Sequence, residues 1–317
     1  MQYRIGVDVG GTNIVCGLVN ERYEVVDSLR QPTEAQRESD AIIGDIADSI
    51  ERLIKRNGLR RDSIASVGAG IPGTIDPDAG ICIGSANLRW YDVHVAGHLE
   101  QLLDMRVRID NDVRMYVLGE SKFGAGRRYR SVFGITLGTG VCGAFAEAGQ
   151  LYYGSHKLAG EIGHIPIDGE TSPCGCGKIG CLETIASATG LTARARQAIA
   201  EGYNSVLTQL APDLKSLTSE HLSLAYDRGD QLAIETMHHA GRTLGKVLSY
   251  AVICYDPEVI VVGGGVARAG DRILAAARQE MAERVLRRQR AVDIIVAQLG
   301  DDAGVIGSAF HARSLPR

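Results

Sequence analysis

The stretch YRIGVDVGGTNIVCGLV, Tyr3–Val19, decides the reading of this chain, because its pattern returns at Val132–Ala146 as VFGITLGTGVCGAFA. Each stretch is an apolar run, a Gly/Thr turn and a second apolar run. This predicts two buried strands joined by a tight turn: Tyr3–Val9 with Asn13–Val19, and Val132–Leu137 with Val141–Ala146. The recurrence is a weak internal repeat and suggests two related halves. Working outward, Glu24–Leu29, Ile64–Ile71, Val107–Ile109, Val259–Val262 and Val292–Ala297 read as further strands. Apolar residues from Ile43 to Ile54 share one helix face, and Asn57-Gly58 supplies the stop. Helical patterns follow Asn111-Asp112, fill much of Thr184–Tyr255 and close the chain at Ala303–Ala312. Strands alternate with helices, so the predicted class is α/β.

A chain of 317 residues is long for one core and suggests two domains. The expected division is a small α/β domain of residues 1–111 plus the C-terminal helix 303–317, and a large α/β domain of residues 112–302. A net charge of −4 argues against a general affinity for nucleic acid, despite arginines at 127, 128 and 130 and at 284, 287, 288 and 290. No apolar run reaches the roughly 18 residues of a membrane span, and the start has no signal-peptide pattern. Seven cysteines are an odd count, with three of them between 174 and 181. That usage points to a reducing compartment and a metal, so a cytoplasmic protein is expected. Cys16, Cys82, Cys142 and Cys254 lie in apolar contexts and read as core residues.

The turns can carry chemistry. Glycines let backbone N–H groups approach an anion, and a threonine hydroxyl adds a donor. One such turn is equally a plain hairpin. Two of them, at Gly10-Gly11-Thr12 and Gly138-Thr139, plus Gly263-Gly264-Gly265 after a strand, favour phosphate binding. Asp8 could hold Mg²⁺ there through water. Asp112, just past a strand, could accept a proton from an attacking hydroxyl or could cap the following helix. In the stretch AGEIGHIPIDGETSPCGCGKIGCLET, Ala159–Thr184, residues His164, Cys174, Cys176 and Cys181 offer a tetrahedral Zn²⁺ set with no open position, hence a structural one. Three free thiols are the alternative. Glu161 and Glu183 flank the set and suit hydroxyl binding.

Together, Asp8-Val-Gly-Gly-Thr12, Asn111-Asp112, Leu137-Gly-Thr-Gly140, Glu161-Ile-Gly-His164, Cys174-Gly-Cys-Gly-Lys-Ile-Gly-Cys181-Leu-Glu183 and Val262-Gly-Gly-Gly-Val266 resemble the ROK family (repressors, open reading frames and kinases). The resemblance runs from the first strand to the last helix. It implies a two-domain actin-like ATPase fold of the hexokinase type, with sugar and ATP in a cleft between the domains. It implies an ATP- and Mg²⁺-dependent kinase for a hexose 6-hydroxyl, glucose first, and a homodimer. By that resemblance Asp112 is the general base; Gly73, Asn87, Asn111, Asp112, Glu161, His164 and Glu183 meet the sugar. Asp8, Gly10, Gly11, Thr12, Gly138 and Thr139 serve the phosphates, with Gly264 and Gly265 near the adenosine. His164 then binds zinc through one ring nitrogen and faces the sugar with the other.

Two departures from the family pattern stand out. Val113-Arg114 stands where the family pattern has Ala-Asn after Asn-Asp, Met115 and Tyr116 replace small residues on the same helix, and Ser85-Ala86 replaces Thr-Pro before Asn87. The choice among glucose, allose, mannose, fructose and N-acetylmannosamine is left to pocket shape. A sugar-responsive repressor is the rival reading. Such proteins carry an N-terminal helix-turn-helix domain, for which a turn beginning at Asp8 leaves no room.

Overall fold

A computed structural model describes residues 2–314. In chain order the elements are strands β1 (Tyr3–Val9), β2 (Asn13–Val19) and β3 (Val25–Pro32), helix α1 (Ser39–Arg56), β4 (Ile64–Ile71), β5 (Thr74–Asp76), β6 (Ile81–Ser85), β7 (Trp90–Val93), α2 (Val95–Leu103), β8 (Val107–Asn111) and α3 (Asp112–Phe123). There follow β9 (Ser131–Leu137), β10 (Val141–Glu147), β11 (Gln150–Leu151), α4 (Glu183–Ala186), α5 (Ala188–Ala200), α6 (Leu207–Leu210), α7 (Ser219–Asp227), α8 (Gln231–Tyr255), β12 (Val259–Gly263), α9 (Asp271–Arg284), β13 (Asp293–Val296) and α10 (Asp302–His311). The chain forms two compact units. One is Met1–Arg128, Ala146–Ala159 and Gln298–Arg317; the other is Tyr129–Phe145 and Gly160–Ala297.

Two five-stranded sheets have the same plan. One runs β3-β2-β1-β4-β8 and the other β11-β10-β9-β12-β13. In the first, β1 pairs antiparallel with β2 and parallel with β4, which pairs parallel with β8. In the second, β12 pairs parallel with both β9 and β13. The parallel strands are joined by helical crossovers, as their geometry requires. The internal repeat seen in the sequence is therefore a repeat of topology. A third, three-stranded sheet, β5-β6-β7, has no counterpart in the sequence reading. Its strands are too short and too mixed in polarity to show a period.

The first unit is built around apolar side chains of β1, β4, α1 and α2, among them Ile5, Val67, Ile46 and Leu99, all fully buried. The opposite face of its sheet receives α10 at backbone distance. A methyl group on Gly6 would lie 1.9 Å from Val305 O, and one on Gly68 would lie 1.9 Å from Ser308 O. The same close packing joins α10 to α3, where a methyl on Gly119 would lie 2.2 Å from Ala303 O. This explains why the division falls elsewhere than at residues 111 and 112: α3 belongs with α10 and the first sheet. Residues 146–159 also lie with the first unit. Of the expected terminal segment 303–317, residues 315–317 lie outside the described residues.

The second unit packs α8 against α9 and the sheet, with Met237, Leu244, Leu248, Ile260 and Ala277 fully buried or nearly so. Cys16 and Cys82 are buried as expected. Cys254 is not a core residue; it is exposed on the outer face of α8, while Cys142 is half-buried.

Candidate active site

The carboxyl ends of parallel strands in open α/β sheets are where ligands bind, and in the first unit they collect Asp8, Asn111 and Asp112 with their neighbours. The register sets Asp8 beside Gly70, and Gly70 beside Asp110. Asn111 ends β8 and caps α3, its Oδ1 accepting from Arg114 N at 3.1 Å. Its Nδ2 donates to Gly73 O at 3.0 Å. Gly73 sits at φ +116°, and a methyl group there would lie 2.2 Å from Gly84 O. No other residue fits that turn, where Gly73 packs against the backbone of Gly84 and Ser85; Asn87 follows two residues after Ser85, in the exposed turn before β7. A methyl on Gly11 would in turn touch Asn87 Cβ at 3.7 Å. Gly11, Gly73, Asn87, Asn111 and Asp112 therefore converge.

The structure corrects one local alternative. Capping of α3 belongs to Asn111, and Asp112 is the first residue within the helix. Its Cα lies 3.1 Å from where a methyl on Gly70 would be, so a side chain at 70 would push it away. Asp8 lies close by. Its carboxyl is pushed up to about 7, first by burial and then by the negative charges of Asp112 and Asp301, with Arg30 opposing. Like charges gathered in this way favour a neutral acid or a bound cation.

The first Gly/Thr turn is closed by Gly10 N donating to Asn13 O at 2.8 Å, and is held to β3 by the Thr33 hydroxyl, which donates to Gly10 O at 2.7 Å. Gly11 and Thr12 are exposed. The second turn is fastened to the start of α5: Ala188 N donates to Gly138 O at 2.8 Å, and the Thr189 hydroxyl donates to Thr139 O at 2.9 Å. Thr139 is exposed. Thr136 pairs with Gly263, which brings the Gly264-Gly265 turn beside it. Gly264 has φ +85°, and a methyl there would lie 2.5 Å from Leu137 O. Gly138, Thr139, Gly264 and Gly265 thus share one end of the second sheet.

His164, Cys174, Cys176 and Cys181 place their ligand atoms within 4.8 Å of one another. Cys176 Sγ lies 3.7 Å from Cys181 Sγ, and Cys174 Sγ lies 3.6 Å from His164 Nδ1. Zinc–sulfur bonds of about 2.3 Å set tetrahedral edges of about 3.8 Å, so the donor set fits a zinc ion. His164 Nε2 points toward Glu161, 3.9 Å from its Oε2. Bridges of Pro166 to Cys181 and of Pro173 to Ile179 fold the loop back on itself. Glu183 Oε2 accepts from Val141 N at 3.0 Å and its Oε1 from Cys174 Sγ at 3.7 Å. One carboxylate therefore links the cysteine loop to the second Gly/Thr turn.

Sequence reasoning missed four participants: Asp301, which acts on Asp8; Thr33, which buttresses the first turn; and Asp110 with Tyr153, whose phenol donates to Asp110 Oδ2 at 2.6 Å. Only Asp110, adjacent to Asn111-Asp112, carried any local signal. A cavity of about 560 Å³ on β3 and α1, lined by residues such as Arg37, Asp45 and Arg52, contains none of the predicted residues.

A sequence profile of the ROK family matches residues 4–314. A glucokinase of Halalkalibacterium halodurans is 36% identical over 98% of this chain and 94% of its own length. The N-acetylgalactosamine kinase AgaK of a Shewanella species is 32% identical over 98% of this chain and 96% of its own. A crystal structure of a ROK glucokinase from Streptomyces griseus with glucose and AMPPNP superposes with a TM-score of 0.86. It is 29% identical, over 99% of this chain and all of that one.

Proposed function

The chain belongs to the ROK family, and from that premise we propose that it transfers the γ-phosphoryl group of ATP to the 6-hydroxyl of glucose. It is an ATP-dependent hexose kinase of the actin-like ATPase fold. The observation that carries the mechanism is the corner at the end of β8. Asn111, not Asp112, supplies the side-chain cap of α3, and the Asp112 carboxylate lies near enough to Asp8 to raise its pKa.

In the proposed step the sugar 6-oxygen forms a bond to the γ-phosphorus as the bond to the β,γ-bridging oxygen breaks, releasing ADP. Asp112 accepts the hydroxyl proton as the bond forms. Asn87, Asn111 and the Gly73 turn supply sugar contacts in the first unit; Glu161, His164 and Glu183 supply them in the second. The amides and hydroxyls around Gly10, Gly11 and Thr12, and around Gly138 and Thr139, stabilise phosphoryl charge. Gly264 and Gly265 give the adenosine a wall without side chains. The acidic surroundings of Asp8 suit it to Mg²⁺; when bound, the ion offsets charge on the phosphates. Zinc at His164, Cys174, Cys176 and Cys181 would stiffen the loop that carries Glu161 and His164.

Glucose is the first choice from the glucokinase relatives, and N-acetylhexosamines are second, on the likeness to AgaK. We further propose a cytoplasmic homodimer without DNA affinity at physiological salt. The odd cysteine count supports a reducing compartment and the net charge of −4 the lack of DNA affinity, the family resemblance supports the homodimer, and no helix among the described residues is long and apolar enough to cross a membrane. The test is ADP release with Mg·ATP across hexoses and N-acetylhexosamines. One sugar with clearly superior kcat/KM supports the assignment and names the substrate; no turnover with any sugar would overturn it.

A further inference from the structure

Arg114 is a charged residue where the family pattern has an asparagine, two residues into the helix that begins with Asp112. A guanidinium there could enter a sugar pocket. It does not: the side chain is only 5% exposed and turns back along the helix to the fully buried Asp110, with Nη1 3.0 Å from Asp110 Oδ1. Its other terminal nitrogen donates to the carbonyl oxygen of Lys157. The guanidinium carbon lies 5.1 Å from the centroid of the Tyr153 ring. That ring's hydroxyl donates to the second oxygen of Asp110 at 2.6 Å. Asp110 Oδ1 also accepts from Asn111 N at 2.7 Å.

This network ties two stretches together. One is the corner Asp110-Asn111-Asp112. The other is Tyr153–Lys157, which leads through Ala159, the last residue of the first unit before the chain crosses, to Glu161. Lys157 has φ +58°, a conformation that a lysine rarely adopts without restraint. Its carbonyl is held by Arg114, and its ammonium donates to Asp78 at 2.7 Å. We infer that Arg114 is a positioning residue for sugar binding: its two-pronged guanidinium fixes the 153–157 segment to the catalytic corner. This rests on the kinase reading for its functional consequence, but the tether itself does not.

Arg114→Lys tests it. Lysine can still pair with Asp110, so no buried charge is stranded, but an ammonium has no planar fork with which to reach the Lys157 carbonyl as well. The expected result is a sugar KM raised roughly tenfold, the scale of one lost charge-assisted hydrogen bond. The KM for ATP, kcat and Tm should remain close to the parent's. Amide exchange should quicken in residues 153–159 and not in α1 or α8. An unchanged sugar KM in a stable R114K protein would overturn the positioning role, as would losses in sugar KM, ATP KM and kcat that track a fall in Tm. Unchanged exchange in 153–159 would overturn the tether even if no sugar proves to be a substrate. Should R114K not fold, the neutral pair D110N/R114Q, read by the same two measurements, decides between the same outcomes.

Discussion

The two sheets share one strand order, yet the surroundings of their Gly/Thr turns differ in charge. Asp8 pairs with Gly70 in the first sheet, and Thr136 pairs with Gly263 at the matching place in the second. Where the first turn has a carboxylate crowded by Asp112 and Asp301, the second has a hydroxyl directed at Cys142 O. The second turn is instead braced by the start of α5, whose N-terminal end favours anions. One topology thus provides an acidic end, where a cation beside the turn would offset the carboxylates, and a neutral end without such a carboxylate. The lesson is that the repeat supplies the turns, while single side chains decide which charge each turn tolerates.

The largest expected effect breaks the acidic end. Asp112→Asn should lower kcat by about 10²–10⁴, the usual worth of a general base, with sugar affinity by calorimetry near the parent value. A variant with kcat close to the parent's would remove Asp112 from the base role. Next, stripping zinc with a chelator, or Cys176→Ser, should raise sugar KM and lower Tm together, because the loop bearing Glu161 and His164 loses its brace. Unchanged sugar KM in protein shown by metal analysis to lack zinc would count against that link.

Two smaller effects sharpen the comparison. Thr12→Ala and Thr139→Ala should each raise the KM for ATP by up to about tenfold, as for one hydrogen bond to a charged group, and leave sugar KM alone. An effect from only one of them would mean that a single turn binds phosphate. The smallest effect concerns stability. A carboxyl at about 7 in the folded protein and near 3.9 in the unfolded chain costs stability as pH rises between those values. Metal-free Asp8→Asn should therefore melt a few degrees above the parent at pH 8, and the gap should close toward pH 4. A gap that is constant with pH would mean that Asp8 is not held as a neutral acid.

Much of the fold was legible because long apolar runs report burial directly. Tyr3–Val9, Asn13–Val19 and Ile64–Ile71 begin and end where the sequence places them. The strands between Thr74 and Val93 were not legible, since strands of three to five residues show no period. Among site residues, the four candidate metal ligands could be read from composition and spacing, and the structure brings their ligand atoms together. Asp112 could not be separated from a helix cap by sequence alone, because both roles place an acid at a strand-to-helix junction. The hydrogen bond from Arg114 N to Asn111 assigned the cap.

By itself the sequence determined the α/β class, the paired turns, the cysteine–histidine set and, through the resemblance of these motifs to known ones, the family. These are local properties: burial period, backbone freedom and donor type are written into neighbouring residues. The tertiary structure alone decided that α3 joins the first unit through glycine contacts with α10, that burial and then the charges of Asp112 and Asp301 raise Asp8, and that Arg114 turns inward to Asp110. Each of those outcomes depends on groups far apart in the chain, or on which way a side chain turns. Desolvation, charge coupling and close packing act through space, and sequence spacing does not record them.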